Sequence, residues 1–175
     1  EILRTVGLTP PENYMSRYPH EISGGQRQRV SIARTLVMKP KFVVCDEPTS
    51  MLDVSIRISI MDLMLNLAKD LEVSYLYITH DLAVARYMCD RIAVMFNGKI
   101  VEIAETEELL GNPIHPYTKR LISSIPIPDP SYKRVRYELD FTELDSIINN
   151  NSNNDPMVEV KANHFVATHD IKGTL

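Results

Sequence analysis

The feature that most constrains this chain is a run of four apolar residues, Phe42-Val43-Val44-Cys45, closed by two carboxylates, Asp46 and Glu47, and set between two stretches of helical periodicity. A short continuous apolar run is the signature of a strand buried on both faces, as in parallel sheets. Ahead of it, Val30, Ala33 and Val37 recur at helical spacing over 26–38, directly after Ser23-Gly24-Gly25, and Pro40 ends that helix. Behind it, Ile56, Ile60, Leu63, Met64, Leu67 and Leu71 predict a helix over 54–71 with Asp53 as its N-cap. Val54, Ile56, Ile58 and Ile60 also alternate as a strand would, but the length of the pattern decides for helix. A second buried strand over 73–79 is followed by His80-Asp81, a short helix over 82–88 and a third strand over 91–96. Asn97-Gly98 then predicts a hairpin to a strand over 99–104. Strands alternating with helices define an α/β layered sheet.

Outside this centre the signals thin. Residues 1–22 hold a short helical piece, Gly7 and a loop at Thr9-Pro10-Pro11. Past Asn112 the composition changes: 116–124 suits a helix, and Pro126-Ile127-Pro128-Asp129-Pro130 reads as a stiff extended segment. The polar tract Asn149-Asn150-Asn151-Ser152-Asn153-Asn154 cannot bury a core, so disorder is expected near 145–156. Beyond it, Val158, Val160, Phe165 and Val166 flank a turn at Ala162-Asn163 and predict a small docked hairpin.

Composition limits the class. With 44% apolar and 24% charged residues the chain is neither wholly disordered, collagen-like nor a coiled coil. A net charge of −4 gives no global reason to expect nucleic acid or an anionic membrane as partner. Cys45 and Cys89 stand in apolar surroundings and read as inert core thiols of a reducing compartment. No run approaches the roughly 18 apolar residues of a membrane span, and the first residues have no secretory pattern. An unexported, soluble chain is expected, so the sequon at Asn150-Asn151-Ser152 reads as unused.

Three places carry candidate chemistry. Gly24 and Gly25 at a helix N-terminus offer free N–H groups to an anion, with the Ser23 hydroxyl and the Gln26 amide beside them, although a plain flexible cap has the same pattern. Asp46 and Glu47 fall at the carboxyl end of a parallel strand, where open α/β sheets bind ligands. One carboxylate could hold magnesium, directly or through water, and the other orient a water for attack on a phosphoryl group; solvated acids ending a strand are the alternative. His80 ends the next strand, where it could bond a phosphate or serve simply as a loop residue.

The order of these motifs resembles that of ABC-type ATPases. Tyr-Pro-His-Glu-Ile-Ser-Gly-Gly-Gln-Arg-Gln-Arg-Val at 18–30 resembles their signature motif, 42–47 their Walker B strand, Ser50-Met51-Leu52-Asp53 their D-loop and Thr79-His80-Asp81 their H-loop. Asn112-Pro113-Ile114-His115-Pro116-Tyr117-Thr118 and the proline-rich segment after it resemble the tail on ATPase subunits of oligopeptide and dipeptide importers. The fold this implies is the C-terminal part of a P-loop (RecA-like) ABC ATPase domain. Residues 1–38 would end its helical subdomain, 39–111 belong to the ATPase core, and 112–175 form an oligopeptide-transporter-type extension.

By this resemblance Ser23, Gly24, Gly25 and Gln26 contact, in trans, the γ-phosphate of an ATP held mainly by a second ATPase subunit, in a head-to-tail homo- or heterodimer. Asp46 organises Mg²⁺, Glu47 polarises the attacking water, His80 senses the γ-phosphate, and Ser50 and Asp53 lie at the D-loop interface. The implied function is ATP hydrolysis powering an importer. The subunit would be peripheral at the cytoplasmic face of the membrane, on permease subunits and indirectly with an extracytoplasmic binding protein, without nucleic acid. Ile22, Cys45 and Met51 depart mildly from the family pattern. The absence of cysteine after Cys89 leaves no iron-sulfur cluster to expect.

The resemblance also places a Gly-x-x-x-x-Gly-Lys-Ser/Thr loop, an adenine-stacking aromatic residue and a glutamine loop ahead of the signature, and the 175 residues do not include them. The chain therefore reads as starting within a domain; as it stands it is expected to bind ATP poorly and to expose sheet edges and half a core. Two other functions compete: a catalytically incompetent remnant or interaction module, and a soluble ABC ATPase without a transporter.

Overall fold

The computed structural model describes residues 1–124 and 156–167. They fall into two compact units, Glu1–His80 and Asp81–Leu175. The proline-rich segment at 126–130 and the asparagine tract lie outside the described residues.

The first unit contains α1 (Ile2–Thr5), α2 (Glu12–Met15), a 3₁₀ turn (Pro19–Glu21), α3 (Gly24–Leu36), β1 (Phe42–Asp46), α4 (Val54–Leu71) and β2 (Ser74–Ile78). Strands β1 and β2 run parallel and in register from Phe42↔Ser74 to Asp46↔Ile78. Both strands thus end together, which sets Asp46, Glu47 and the segment 79–80 at one edge. The buried face of α4 is Ile60, Met61, Met64 and Leu67, the stripe its periodicity predicts. Leu67 packs with Val6, Leu8, Ala33 and Leu36 into one core. Asp53 occupies the N-cap of α4 as expected, but its carboxylate makes no hydrogen bond to the helix.

One expectation fails. The two strands are not buried on both faces: Val43 and Cys45 are covered, whereas Phe42, Val44, Leu76 and Ile78 are 57%, 56%, 50% and 45% exposed. A continuous apolar run permits burial on both faces, yet each face needs its own covering layer, and among the described residues of this unit the Val44 face has none.

The second unit contains α5 (Leu82–Met88), β3 (Arg91–Phe96), β4 (Lys99–Glu105), α6 (Thr106–Gly111), α7 (Pro116–Ser123), β5 (Met157–Lys161) and β6 (His164–Ala167). Asp81 caps α5, its carboxylate accepting from the N–H groups of Ala83 at 2.9 Å and Val84 at 3.3 Å. The strands form an antiparallel sheet in the order β3-β4-β6-β5. Asn97 and Gly98 turn the first hairpin with φ of 47° and 77°, the pair of positive values that a two-residue turn matched to strand twist requires. The second hairpin forms as expected, with Asn163 at φ 60°, and joins β4 through Glu102↔Val166 and Ile103↔Phe165. Its core gathers Ala85, Ile92, Val94, Val101, Ala104 and Leu109. Helix α6 was not anticipated; Glu107 and Glu108 in its first turn, favourable against the helix dipole, were the available sign.

Burial pushes the Cys45 thiol up to about 11 and raises that of Cys89, the latter with a further contribution from Asp90, so both thiols resist ionisation. Among the described residues no helix is long and apolar enough to cross a membrane.

Candidate functional site

Ser23 starts α3 with a reciprocal cap: its Oγ accepts from the Gln26 N–H at 3.3 Å, and Gln26 Oε1 accepts from the Ser23 N–H at 2.9 Å. Ser-x-x-Gln is a capping box. It commits the Gln26 carbonyl to its own helix and leaves only the amide nitrogen for another partner. The N–H groups of Gly24 and Gly25 are the first two of the helix, which have no intrahelical acceptor. Gly25 is buried, and a Cβ there would lie 2.6 Å from Ile56 Cγ2 of α4. Glycine is thus required for close approach of the two helices. Gly25→Ala is expected to destabilise the first unit by about 1–3 kcal/mol through overpacking, read as a lower denaturant midpoint; an unchanged midpoint would show that α4 yields freely.

Arg29, which sequence reasoning passed over, fastens this arrangement. Its Nη1 donates to the Val6 carbonyl at 2.6 Å and its Nη2 to Ser59 Oγ at 2.8 Å. A single guanidinium therefore ties the end of α1 to α4, and its multiple fixed donors allow it to do so.

At the end of β1 the backbone turns sharply. Glu47 adopts φ 44°, uncommon for a side chain of this kind, while its N–H donates to the Ile78 carbonyl at 2.9 Å. Ser50 closes the turn, its Oγ donating to the Glu47 carbonyl at 3.0 Å. Thr49, buried beneath, bonds Tyr77 at 3.0 Å and fixes the turn to β2. The twist of Glu47 aims its carboxylate at His80, whose Nδ1 lies 2.7 Å from Glu47 Oε1. Nε2 is then the ring's outward polar atom, on a side chain 75% exposed. Asp46 is exposed beside them.

A cleft of about 800 Å³ is lined by Gly24, Arg27 and Ser31 of α3 and by Asp46, Glu47 and Ser50. The glycine loop and the acidic strand end therefore meet in one place, with His80 attached through Glu47. Ser23, Gly25, Gln26 and Asp53 do not line the cleft. Arg27 was missed as a lining residue, although its place three residues after Gly24 puts it on the same helix face. Among the described residues no group of three metal-ligating side chains converges. A lone carboxylate such as Asp46 fits an ion whose remaining ligands are waters and phosphate oxygens.

Strand β1 ending in Asp46 and Glu47, parallel to β2 and beside a glycine pair at a helix start, is the arrangement that the resemblance to ABC ATPases implies. Residues 1–50 match the family model described as ABC transporter, and residues 101–147 match that described as oligopeptide/dipeptide transporter, C-terminal region. The chain is 51% identical to the oligopeptide transport ATP-binding protein AmiF of Streptococcus pneumoniae over 167 residues, 94% of this chain and 52% of that protein. It is 48% identical to OppF of Bacillus subtilis, over 95% of this chain and 53% of that protein, and 48% identical to the dipeptide transport protein DppF of Lactococcus lactis, over 95% and 52%. The chain spans about half the length of these relatives. In fold it is similar to MJ1267, an ATP-binding cassette of an ABC transporter in its ADP conformation, with TM-score 0.59 and 28% identity over 71% of this chain and 48% of that one. It is also similar to cbiO1 of Clostridium perfringens, with TM-score 0.57 and 32% identity over 63% and 43%. In sequence and in fold the chain is thus similar to part of the ABC ATP-binding proteins named for oligopeptide and dipeptide transport.

Proposed function

We propose that the chain is part of an ATP-hydrolysing subunit that powers an oligopeptide- or dipeptide-type importer. The observation that carries this reading is the Glu47–His80 pair beside Asp46 at the carboxyl end of the parallel strands, on a cleft that Gly24 of α3 also lines. Glu47, exposed and anchored by its backbone, accepts the proton of an attacking water, and its hydrogen bond to Nδ1 turns His80 Nε2 toward a phosphate. The Gly24 and Gly25 N–H groups, with the helix dipole behind them, favour a phosphate supplied across an interface by a second ATPase subunit. Magnesium, when bound, would neutralise phosphate charge, and Asp46 would hold it. Ser50 and Asp53 belong to the facing surface of that dimer. The subunit works at the cytoplasmic face of the membrane, on permease subunits, for a substrate delivered by an extracytoplasmic binding protein. The names of the relatives support this assignment.

Gly24→Asp in the intact protein tests the reading. A Cβ at Gly24 meets only Leu52 Cδ2, at 3.4 Å, an ordinary contact, so the backbone there accepts a side chain's first carbon, and the introduced charge opposes a phosphate. Association of subunits that depends on ATP, measured by light scattering, is expected to disappear. Undiminished association would refute the phosphate-binding role of α3.

A further inference from the structure

The second unit encloses a polar cluster that the proposed ATPase chemistry leaves unused. Glu102 of β4 and His164 of β6 are both fully buried, with His164 Nε2 at 2.8 Å from Glu102 Oε1. Glu102 also accepts the Ile114 N–H at 2.8 Å and the His115 N–H at 3.1 Å, so its carboxylate is fully engaged. The other ring nitrogen, Nδ1, is buried without a hydrogen bond and faces Glu108 Oε1 of α6 at 3.5 Å. Glu108 in turn receives Lys161 Nζ of β5 at 2.8 Å and Asn112 Nδ2 at 3.3 Å. On the α7 side stands His115, whose Nδ1 accepts the Tyr117 N–H at 3.1 Å. Lys161 foremost holds the Glu108 carboxyl below its ordinary range, so near neutral pH it is an anion.

Each nitrogen of His164 therefore faces a carboxylate oxygen. A neutral ring has one proton and must set a lone pair against one of these oxygens; only imidazolium donates to both. We propose that His164 is a protonation-operated clasp, which as imidazolium fastens the β5–β6 hairpin to Glu102 and Glu108 and on losing its second proton releases it. Among the described residues the hairpin's ladder to β4 is short, two paired positions, so the clasp adds to an attachment otherwise made by that ladder and by buried Val166 and Ala167. A contribution carried by the charged ring is complete in acid, where folded and unfolded chains both hold the proton, and is lost as pH rises.

Hydrogen exchange of residues 157–167 in the intact protein, corrected for the intrinsic rate, tests this. Opening is expected to rise about tenfold or more from acid to alkaline pH. Glu108→Gln is expected to move the release to lower pH. Histidine nitrogen NMR of the unaltered protein is an independent readout, with Nδ1 and Nε2 both protonated in acid as the expected result. Flat protection across the range, or either ring nitrogen unprotonated at its acid end, would overturn the clasp. None of these measurements involves nucleotide or transport, so they stand apart from the ATPase reading.

Discussion

Glu47→Gln in the intact protein is expected to slow ATP hydrolysis by roughly 10²–10⁴-fold while leaving ATP binding in place. The substitution is nearly isosteric. An amide oxygen can still accept from His80 Nδ1, and the backbone bond from residue 47 to the Ile78 carbonyl is untouched, so the turn is retained. What disappears is the capacity to take a proton from water. The matched measurement is single-turnover hydrolysis alongside nucleotide binding on the same preparation. Undiminished turnover would remove Glu47 from the role of base; loss of binding and hydrolysis together would instead indicate that the turn had collapsed. His80→Ala supplies the contrast, because it frees the carboxylate without removing it, and its effect is expected to be the smaller one.

Local periodicity made most elements legible. The stripe Ile60, Met64 and Leu67 identified α4, and Asn97-Gly98 the hairpin, because each signal lies within a few residues. Burial of β1 was misread because an apolar run states what a strand can bury, whereas the layer that covers it comes from elsewhere in the chain. At the candidate site the residue types and their order were readable, but the geometry was not. Nothing local to Glu47 announces φ 44° or the bond to His80, 33 residues on, and both depend on β1 and β2 lying in register. Gln26 illustrates the reverse case: the Ser-x-x-Gln spacing already contained the capping box, and assigning the whole side chain to a phosphate passed over a nearer partner. Arg29 was invisible for another reason, since its acceptors, the Val6 carbonyl and Ser59, belong to segments 23 and 30 residues away.

Glu102→Ala is expected to cost the second unit about 3–5 kcal/mol, because removal of one partner from a buried hydrogen-bonded pair strands the other. Three donors converge on this carboxylate: the Ile114 N–H, the His115 N–H and His164 Nε2. All three would be left unsatisfied in a space closed to water, and the lost side-chain volume adds a cavity. A glutamate amid Val101, Ile103 and Ala104 resembles a solvent-facing position of an ordinary strand, and only the chain's return 62 residues later with His164 makes it a keystone. Local unfolding read by hydrogen exchange should therefore rise at three separated places: β4, the segment 114–118, and β6. Loss confined to β4 would mean that the carboxylate merely caps its own strand. Simultaneous loss at all three would establish that one side chain joins the hairpin and the start of α7 to the sheet.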